Sequence, residues 1–148
     1  MLEEYKKKRD FKKTPEPSGK KREKSKQLVF VVHEHHATHL HWDFRLEMDG
    51  VLKSWAVPKG LPEEPGEKRL AIQVENHPLA YHSFQGTIPK GQYGAGKVII
   101  WDKGTYELLI KEPETLELIL QGKRLHGRFV LFHPKKFEPK NWLMLKKK

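Results

Sequence analysis

From residue 39 to residue 48 polar and apolar side chains alternate without interruption. His39, His41, Asp43, Arg45 and Glu47 take the odd positions, and Leu40, Trp42, Phe44, Leu46 and Met48 the even ones. A period of two marks a β-strand with one face on a core, because successive side chains point to opposite faces of a sheet. Asp49-Gly50 then supplies the positive φ angles of a two-residue hairpin turn. Residues 51–57 return as the partner strand until Pro58-Lys59-Gly60 stops it. Such a segment commits the chain to an antiparallel sheet whose one side is core and whose other side carries chemistry.

The rest of the chain has the same character. Residues 28–32 are β-branched and apolar, and residues 69–75 alternate. Residues 97–101 and 105–109 flank Asp102-Lys103-Gly104, which predicts a second hairpin with that tripeptide as its turn. Leu116, Leu118 and Leu120 alternate up to Gln121-Gly122, although Glu-Pro-Glu-Thr at 112–115 also suits the start of a short helix. Residues 125–132 and 142–145 give two last strands. Seven to nine short strands with no long helical period predict an all-β fold, a closed or nearly closed barrel of about eight strands over residues 28–148. Residues 1–27 are polar and Pro-containing and form a basic N-terminal arm, partly ordered against the barrel. Trp42, Trp55, Trp101 and Trp142 lie in the strands and read as core rather than base-stacking platforms.

Composition narrows the function. The 148 residues include no cysteine, which removes thiolate nucleophiles, zinc-thiolate sites and disulfide frameworks. A formal charge of +10 favours a polyanionic partner, although much of the excess lies in residues 6–26 and in Lys146-Lys147-Lys148. The start lacks a signal peptide and no apolar run suits a membrane span, so the expectation is a cytoplasmic protein that binds no membrane. None of the four serines sits in a Gly-x-Ser-x-Gly elbow. The glycine-rich run 88–96 precedes strand rather than helix, which excludes a dinucleotide fingerprint or Walker loop and leaves a tight loop needing positive φ.

Five of the nine histidines fall between residues 33 and 41. His35, His41 and Asp43 combine imidazole and carboxylate in the manner of a divalent-cation site with positions left open. Arg45, two residues beyond Asp43, matches the oxygens of a phosphate. His77 follows a strand in a loop that also holds Tyr81 and His82, a common placement for groups that meet a ligand. This is the pattern of a metal-assisted phosphoesterase.

Over almost its whole length the chain resembles the 3′-phosphoesterase module of bacterial DNA ligase D and its stand-alone relatives. The resemblance lies in Arg9-Asp10-Phe11, Thr14-Pro15-Glu16-Pro17, residues 35–45, residues 49–60, Lys68-Arg69-Leu70-Ala71, His77-Pro78-Leu79, Gly91-Gln92-Tyr93-Gly94-Ala95-Gly96 and Lys140-Asn141-Trp142-Leu143. It implies an eight-stranded barrel with a polar groove and a manganese-dependent hydrolase that heals 3′ ends of DNA or DNA/RNA. A diesterase step would remove a terminal ribonucleoside, and a monoesterase step would convert the resulting 3′-phosphate to a 3′-hydroxyl. It further implies His35, His41 and Asp43 as metal ligands, and Arg45, His77, Tyr81, Arg69 and Glu75 as catalytic groups. Arg45, His77 and Lys59 would touch the substrate phosphate, with His77 a candidate proton donor to the leaving oxygen and water or a ribose 2′-hydroxyl the nucleophile. Partners acting in trans would be a ligase, a polymerase or a Ku-type end-joining protein.

His36, His39, Trp42 and Lys90 depart from the pattern of that family. Extra imidazoles beside the ligands would move metal preference from manganese toward nickel, copper or zinc. Two other readings compete: a non-catalytic nucleic-acid-binding barrel with a structural metal site, which predicts binding without turnover, and a metal-storage or sensing protein. Arg45 on the face of His41 and Asp43 speaks against storage, since a cation beside a metal makes sense when an anion joins them.

Overall fold

The computed structural model describes residues 2–9, 11, 16 and 27–148. A short helix, α1 (Glu3–Lys7), precedes nine strands: β1 (Leu28–His36), β2 (Leu40–Met48), β3 (Val51–Val57), β4 (Lys68–His77), β5 (Gly86–Ile88), β6 (Gly96–Glu112), β7 (Thr115–Gly122), β8 (His126–Phe132) and β9 (Asn141–Lys146). Eight of them pair antiparallel in the order β1-β2-β3-β4-β9-β8-β7-β6, and pairing of β6 back onto β1 closes the barrel. Closure leaves these strands with no free edge of N–H and C=O groups. The short β5 adds to β6 outside the circuit, antiparallel from Gly86↔Val98 to Ile88↔Gly96.

The alternation of residues 40–48 works as expected on its apolar side. Phe44, Leu46 and Met48 enter the barrel core with Phe30, Val32, Trp55, Leu118, Leu120, Phe129, Leu131 and Met144, all buried. Asp49 and Gly50 turn the β2–β3 hairpin with φ of 55° and 83°, and Met48 faces Val51 across it. Trp55 and Trp142 are core, and Trp42 and Trp101 pack against it partly buried. The ambiguous stretch after residue 112 is strand from Thr115.

The polar side of β2 is not open to solvent. Asp43, Arg45 and Glu47 are as buried as the core, because a second apolar cluster roofs the outer face of β1 and β2. It comprises Tyr5 of α1, Val31, Leu52, Tyr81, Phe84, Ile88 and Val98, with Phe11, Leu79 and Ile100 against it. A 3-10 helix at Leu79–Ser83 carries Tyr81 into this layer. The arm is therefore part of the fold where it is described.

One expected turn does not form. Residues 97–101 and 105–109 belong to a single strand, β6, that runs straight through Asp102-Lys103-Gly104. Gly104 is there for close approach, since a Cβ on it would strike the Gln121 carbonyl of β7. Asp102 is an acceptor instead of a turn former. Its buried carboxylate receives the N–H groups of Lys103, Lys123, Arg124 and Leu125 at 3.0, 3.0, 3.1 and 2.8 Å, which ties the β7–β8 connection to β6. Nearby, a bulge pairs Val32 with Asp102 but His33 with Ile100. The extra residue reverses the faces of β6, so Tyr106 serves the inner core while Val98 and Ile100 serve the outer one.

Replacing Asp102 by Ala strands buried backbone donors, each costing about 1–3 kcal/mol when unsatisfied. Urea unfolding of Asp102→Ala is expected to show a loss of about 3 kcal/mol or more, and a change within about 0.5 kcal/mol would refute the capping role.

Candidate metal and phosphate site

Register places the site. On β1 and β2, His35 lies directly opposite His41, His33 opposite Asp43 and Val31 opposite Arg45. Cross-strand partners of an antiparallel pair have Cβ atoms about 5 Å apart, so the two strands bring both imidazoles and the carboxylate together on the outer face. On the far side of β2, Arg45 faces Ser54 of β3, and Leu52 of β3 faces His77 at the end of β4.

Ligand atoms of His35, His41 and Asp43 all lie within 4.8 Å of one another. His35 Nε2–H donates to the Gly94 carbonyl at 2.7 Å, and His41 Nδ1–H donates to the His39 carbonyl at 3.1 Å. Each ring thus turns its other nitrogen on Asp43, His35 Nδ1 at 3.4 Å from Oδ2 and His41 Nε2 at 3.2 Å from Oδ1. Backbone carbonyls that hold the remote N–H of an imidazole are the usual outer support of a metal-binding histidine. With both rings neutral, His35 Nδ1, His41 Nε2 and the facing Asp43 oxygens are all acceptors, an arrangement that a cation between them satisfies. The donor set of two nitrogens and a carboxylate fits a borderline divalent ion with open positions.

Arg45, 3% exposed, stands beside this triad. Its Nε–H donates to His33 Nδ1 at 3.1 Å, its Nη1–H to Ser54 Oγ at 3.0 Å, and its Nη2 lies 3.4 Å from Asp43 Oδ2. His33 Nε2–H completes the line by donating to the Phe84 carbonyl at 3.0 Å. Burial and the neighbouring guanidinium push the His33 imidazole down to about 3, so it is a neutral brace for Arg45. Burial alone would raise the Asp43 carboxyl, yet Arg45 and the two flanking imidazoles outweigh it and hold Asp43 well below the usual range. Hydrogen bonding to Asp43 raises His41.

His77 sits between two guanidiniums. Nδ1–H donates to the Glu75 carbonyl at 3.0 Å, with Arg45 Nη1 3.2 Å away, and Nε2 accepts from Arg9 Nη2 at 3.4 Å. Burial first, then Arg45 and Arg9, drive its imidazole well below the ordinary value. Both ring nitrogens of His77 are thus hydrogen-bonded within the site. Tyr81 donates its hydroxyl to Glu16 Oε2 at 2.9 Å, and its ring centre lies 4.9 Å from the Arg45 guanidinium. Burial raises this phenol well above its ordinary value, so it remains a donor.

Arg9 was not among the residues expected at the site. From the arm it reaches Glu16 Oε2 at 2.8 Å, Glu75 Oε2 at 3.3 Å and the Tyr5 carbonyl at 3.1 Å, with its guanidinium 3.9 Å from the Tyr5 ring centre. The available signal was Tyr5 and Arg9 four apart, followed by Glu16, in an otherwise lysine-rich stretch. His33 was missed for a different reason: as one of five crowded histidines it carried no mark of its own.

These groups line one cavity of about 340 Å³, with Arg9, His35, His41, Asp43, Arg45, Glu75, His77 and Tyr81 in its wall. A second hollow of about 400 Å³, lined by Met48, Trp55, Gln73 and Trp142 among others, has no comparable set of converging ligands among the described residues. Two expected residues stay outside. Arg69, opposite Met144 of β9, pairs with Glu67 at 3.0 Å, and Lys59 is exposed in the turn after β3. Neither lines the cavity. The extra imidazoles also stand aside: His36 is exposed and pairs with Glu34 at 2.7 Å, and exposed His39 offers its carbonyl to His41.

Comparison with known proteins decides the family. Residues 33–133 match the model of the DNA ligase D 3′-phosphoesterase domain. The chain belongs to that family. It is 49% identical over 155 residues to the multifunctional non-homologous end joining protein LigD of Pseudomonas aeruginosa, covering 99% of this chain and 18% of that protein. The LigD proteins of Mycobacterium bovis and Mycolicibacterium smegmatis are 53% and 47% identical, over 88% and 96% of this chain. The chain spans about a fifth of the length of these relatives, 18% and 20% in the last two. The matched segment of this 3′-phosphoesterase-family chain contains every proposed metal ligand, while Arg9 and Glu16 lie ahead of it.

Removing the Arg9 side chain should free the arm. In Arg9→Ala, hydrogen exchange at residues 2–9 is expected to rise at least tenfold while β2 and β3 stay protected; unchanged exchange in α1 would show that Arg9 does not pin it.

Proposed function

We propose that this chain is a metal-dependent phosphoesterase that heals 3′ ends of DNA, removing a terminal ribonucleoside and then the 3′-phosphate. The reading is carried by one observation: three acceptor atoms of His35, His41 and Asp43 converge beside Arg45 in a cavity that Arg9 and His77 also line. His35, His41 and Asp43 would hold the ion, and manganese, or another divalent transition metal, would supply Lewis-acid polarisation of a phosphate oxygen when bound.

The protein's own part is electrostatic. Arg45 is held by His33, Ser54 and Asp43, and Arg9 by Glu16 and Glu75, so both guanidiniums are oriented before substrate arrives. Fixed donors stabilise charge that grows on a phosphoryl group without reorganising during the reaction. Neutral His77 spaces the two cations and adds no charge between them. Attack by water at phosphorus breaks the bond to the leaving ribose oxygen; attack on the resulting 3′-phosphate releases inorganic phosphate. Glu75 and Tyr81 act through Arg9 and Glu16. The relatives are named for non-homologous end joining, and repair of broken DNA inside the cell, alongside a ligase, a polymerase or a Ku-type protein, is the setting that this activity suits.

A labelled primer-template ending in one ribonucleotide, incubated with protein and manganese, should yield first a 3′-phosphate and then a 3′-hydroxyl. Salt-sensitive binding with no change of the terminus would favour a binding barrel instead. Asp43→Ala should lower both steps by about 1,000-fold or more while circular dichroism shows an intact β-fold; normal turnover in that variant would remove the triad from the mechanism. Chelation should silence the wild type reversibly, with activity returning on added manganese.

A further inference from the structure

Among the described residues Tyr93 is the most exposed large apolar side chain, at 47%. Its neighbours make that exposure unusual, because Tyr93 lines the same cavity as His35, His41 and Asp43. The ring is also held in place. Gly94, the next residue, accepts the His35 Nε2–H, so the loop that carries the aromatic is anchored to a proposed metal ligand. Gly91 and Gly94 flank Tyr93 at φ of 87° and 75°, a backbone closed to most side chains. Successive turns, Gln92 N–H to the Pro89 carbonyl at 3.2 Å and Ala95 N–H to the Gln92 carbonyl at 3.1 Å, fix the loop between them.

Two cations converge on the ring. Lys8 Nζ lies 4.5 Å from its centre and donates to its hydroxyl at 3.2 Å, and the Arg9 guanidinium lies 5.3 Å from the centre. Arg9 also reaches His77 in the cavity. An exposed aromatic bordered by cations, next to a site for phosphate, has the composition of a surface that takes a base by stacking and its backbone by charge.

We propose that Tyr93 is the stacking platform for the nucleobase of the nucleotide whose 3′-oxygen carries the phosphate. The assignment rests on the phosphoesterase reading for the position of that phosphate. It makes Tyr93 a substrate-positioning residue, and it gives the enzyme preference for a nucleotide over a bare sugar phosphate without preference among bases, since every base offers a π-face. The glycine-rich loop then has two tasks, orienting His35 and presenting the ring.

The test is a comparison of termini. Primer-templates ending in a non-hydrolysable 3′-phosphonate, on either a normal terminal nucleotide or an abasic deoxyribose, are titrated with the full chain and manganese, reading Kd by fluorescence anisotropy. Wild type is expected to bind the base-bearing end roughly 10- to 100-fold more tightly than the abasic end. Tyr93→Ala should bring the two within about twofold, and Tyr93→Phe should keep the difference. A base preference that survives in Tyr93→Ala, or none in the wild type, overturns the proposal. Turnover of the matching 3′-phosphate end is scored in parallel: its absence with the base preference intact removes the phosphoesterase reading and leaves the platform standing.

Discussion

Antiparallel pairing of β1 with β2 is the constraint from which the site follows. With His35 fixed opposite His41 and His33 opposite Asp43, a carboxylate, two imidazoles and the brace of Arg45 come to one spot, and the Gly94 and Phe84 carbonyls of the flanking loops orient the rings of His35 and His33. A slip of one residue would send the histidines of β1 to the barrel interior and the apolar partners out. The closed barrel prevents the slip: β1 is held on its other edge by β6, and the fully buried Phe30, Val32, Phe44 and Leu46 have no place on the outer face. The core thus fixes the chemistry geometrically.

Burial then sets the electrostatics. Asp43, Arg45, Glu75 and His77 are at most 8% exposed, as is Glu16 of the arm. Charges removed from water are tolerated when paired, and these are: Arg9 with Glu16 and Glu75, Arg45 with Asp43. Around the cavity two guanidiniums face three carboxylates, with His33 and His77 held neutral by burial and by the same guanidiniums. Lys8, 3.5 Å from Glu75 Oε1, adds a third cation, and Asp43 beside the two imidazoles is the carboxylate that a divalent cation would meet. The arm belongs to this balance as well as to the roof, because Arg9 is one of its two buried cations.

Much of this was legible in the chain. The alternation of residues 40–48, the Asp49-Gly50 turn and the short strands pointed to the barrel, and His35, His41, Asp43 and Arg45 announced themselves by type and spacing. What escaped the sequence was long-range. Asp102-Lys103-Gly104 has turn composition, but its glycine answers to β7 and its aspartate to the β7–β8 connection, partners some twenty residues away. The polar face of β2 reads as solvent-facing until Tyr5, Tyr81 and Phe84 are seen above it. Arg69 stands on the strand of Glu75 and His77, yet near its other end, so shared strand membership did not mean a shared site.

The central claim is that the acceptors of His35, His41 and Asp43 form one metal site. Anomalous diffraction from crystals grown with manganese tests it directly. The account predicts a single strong peak in contact with His35 Nδ1, His41 Nε2 and an Asp43 carboxylate oxygen. Manganese bound instead at Glu34 and His36, or no peak between the three side chains at saturating metal, would contradict it.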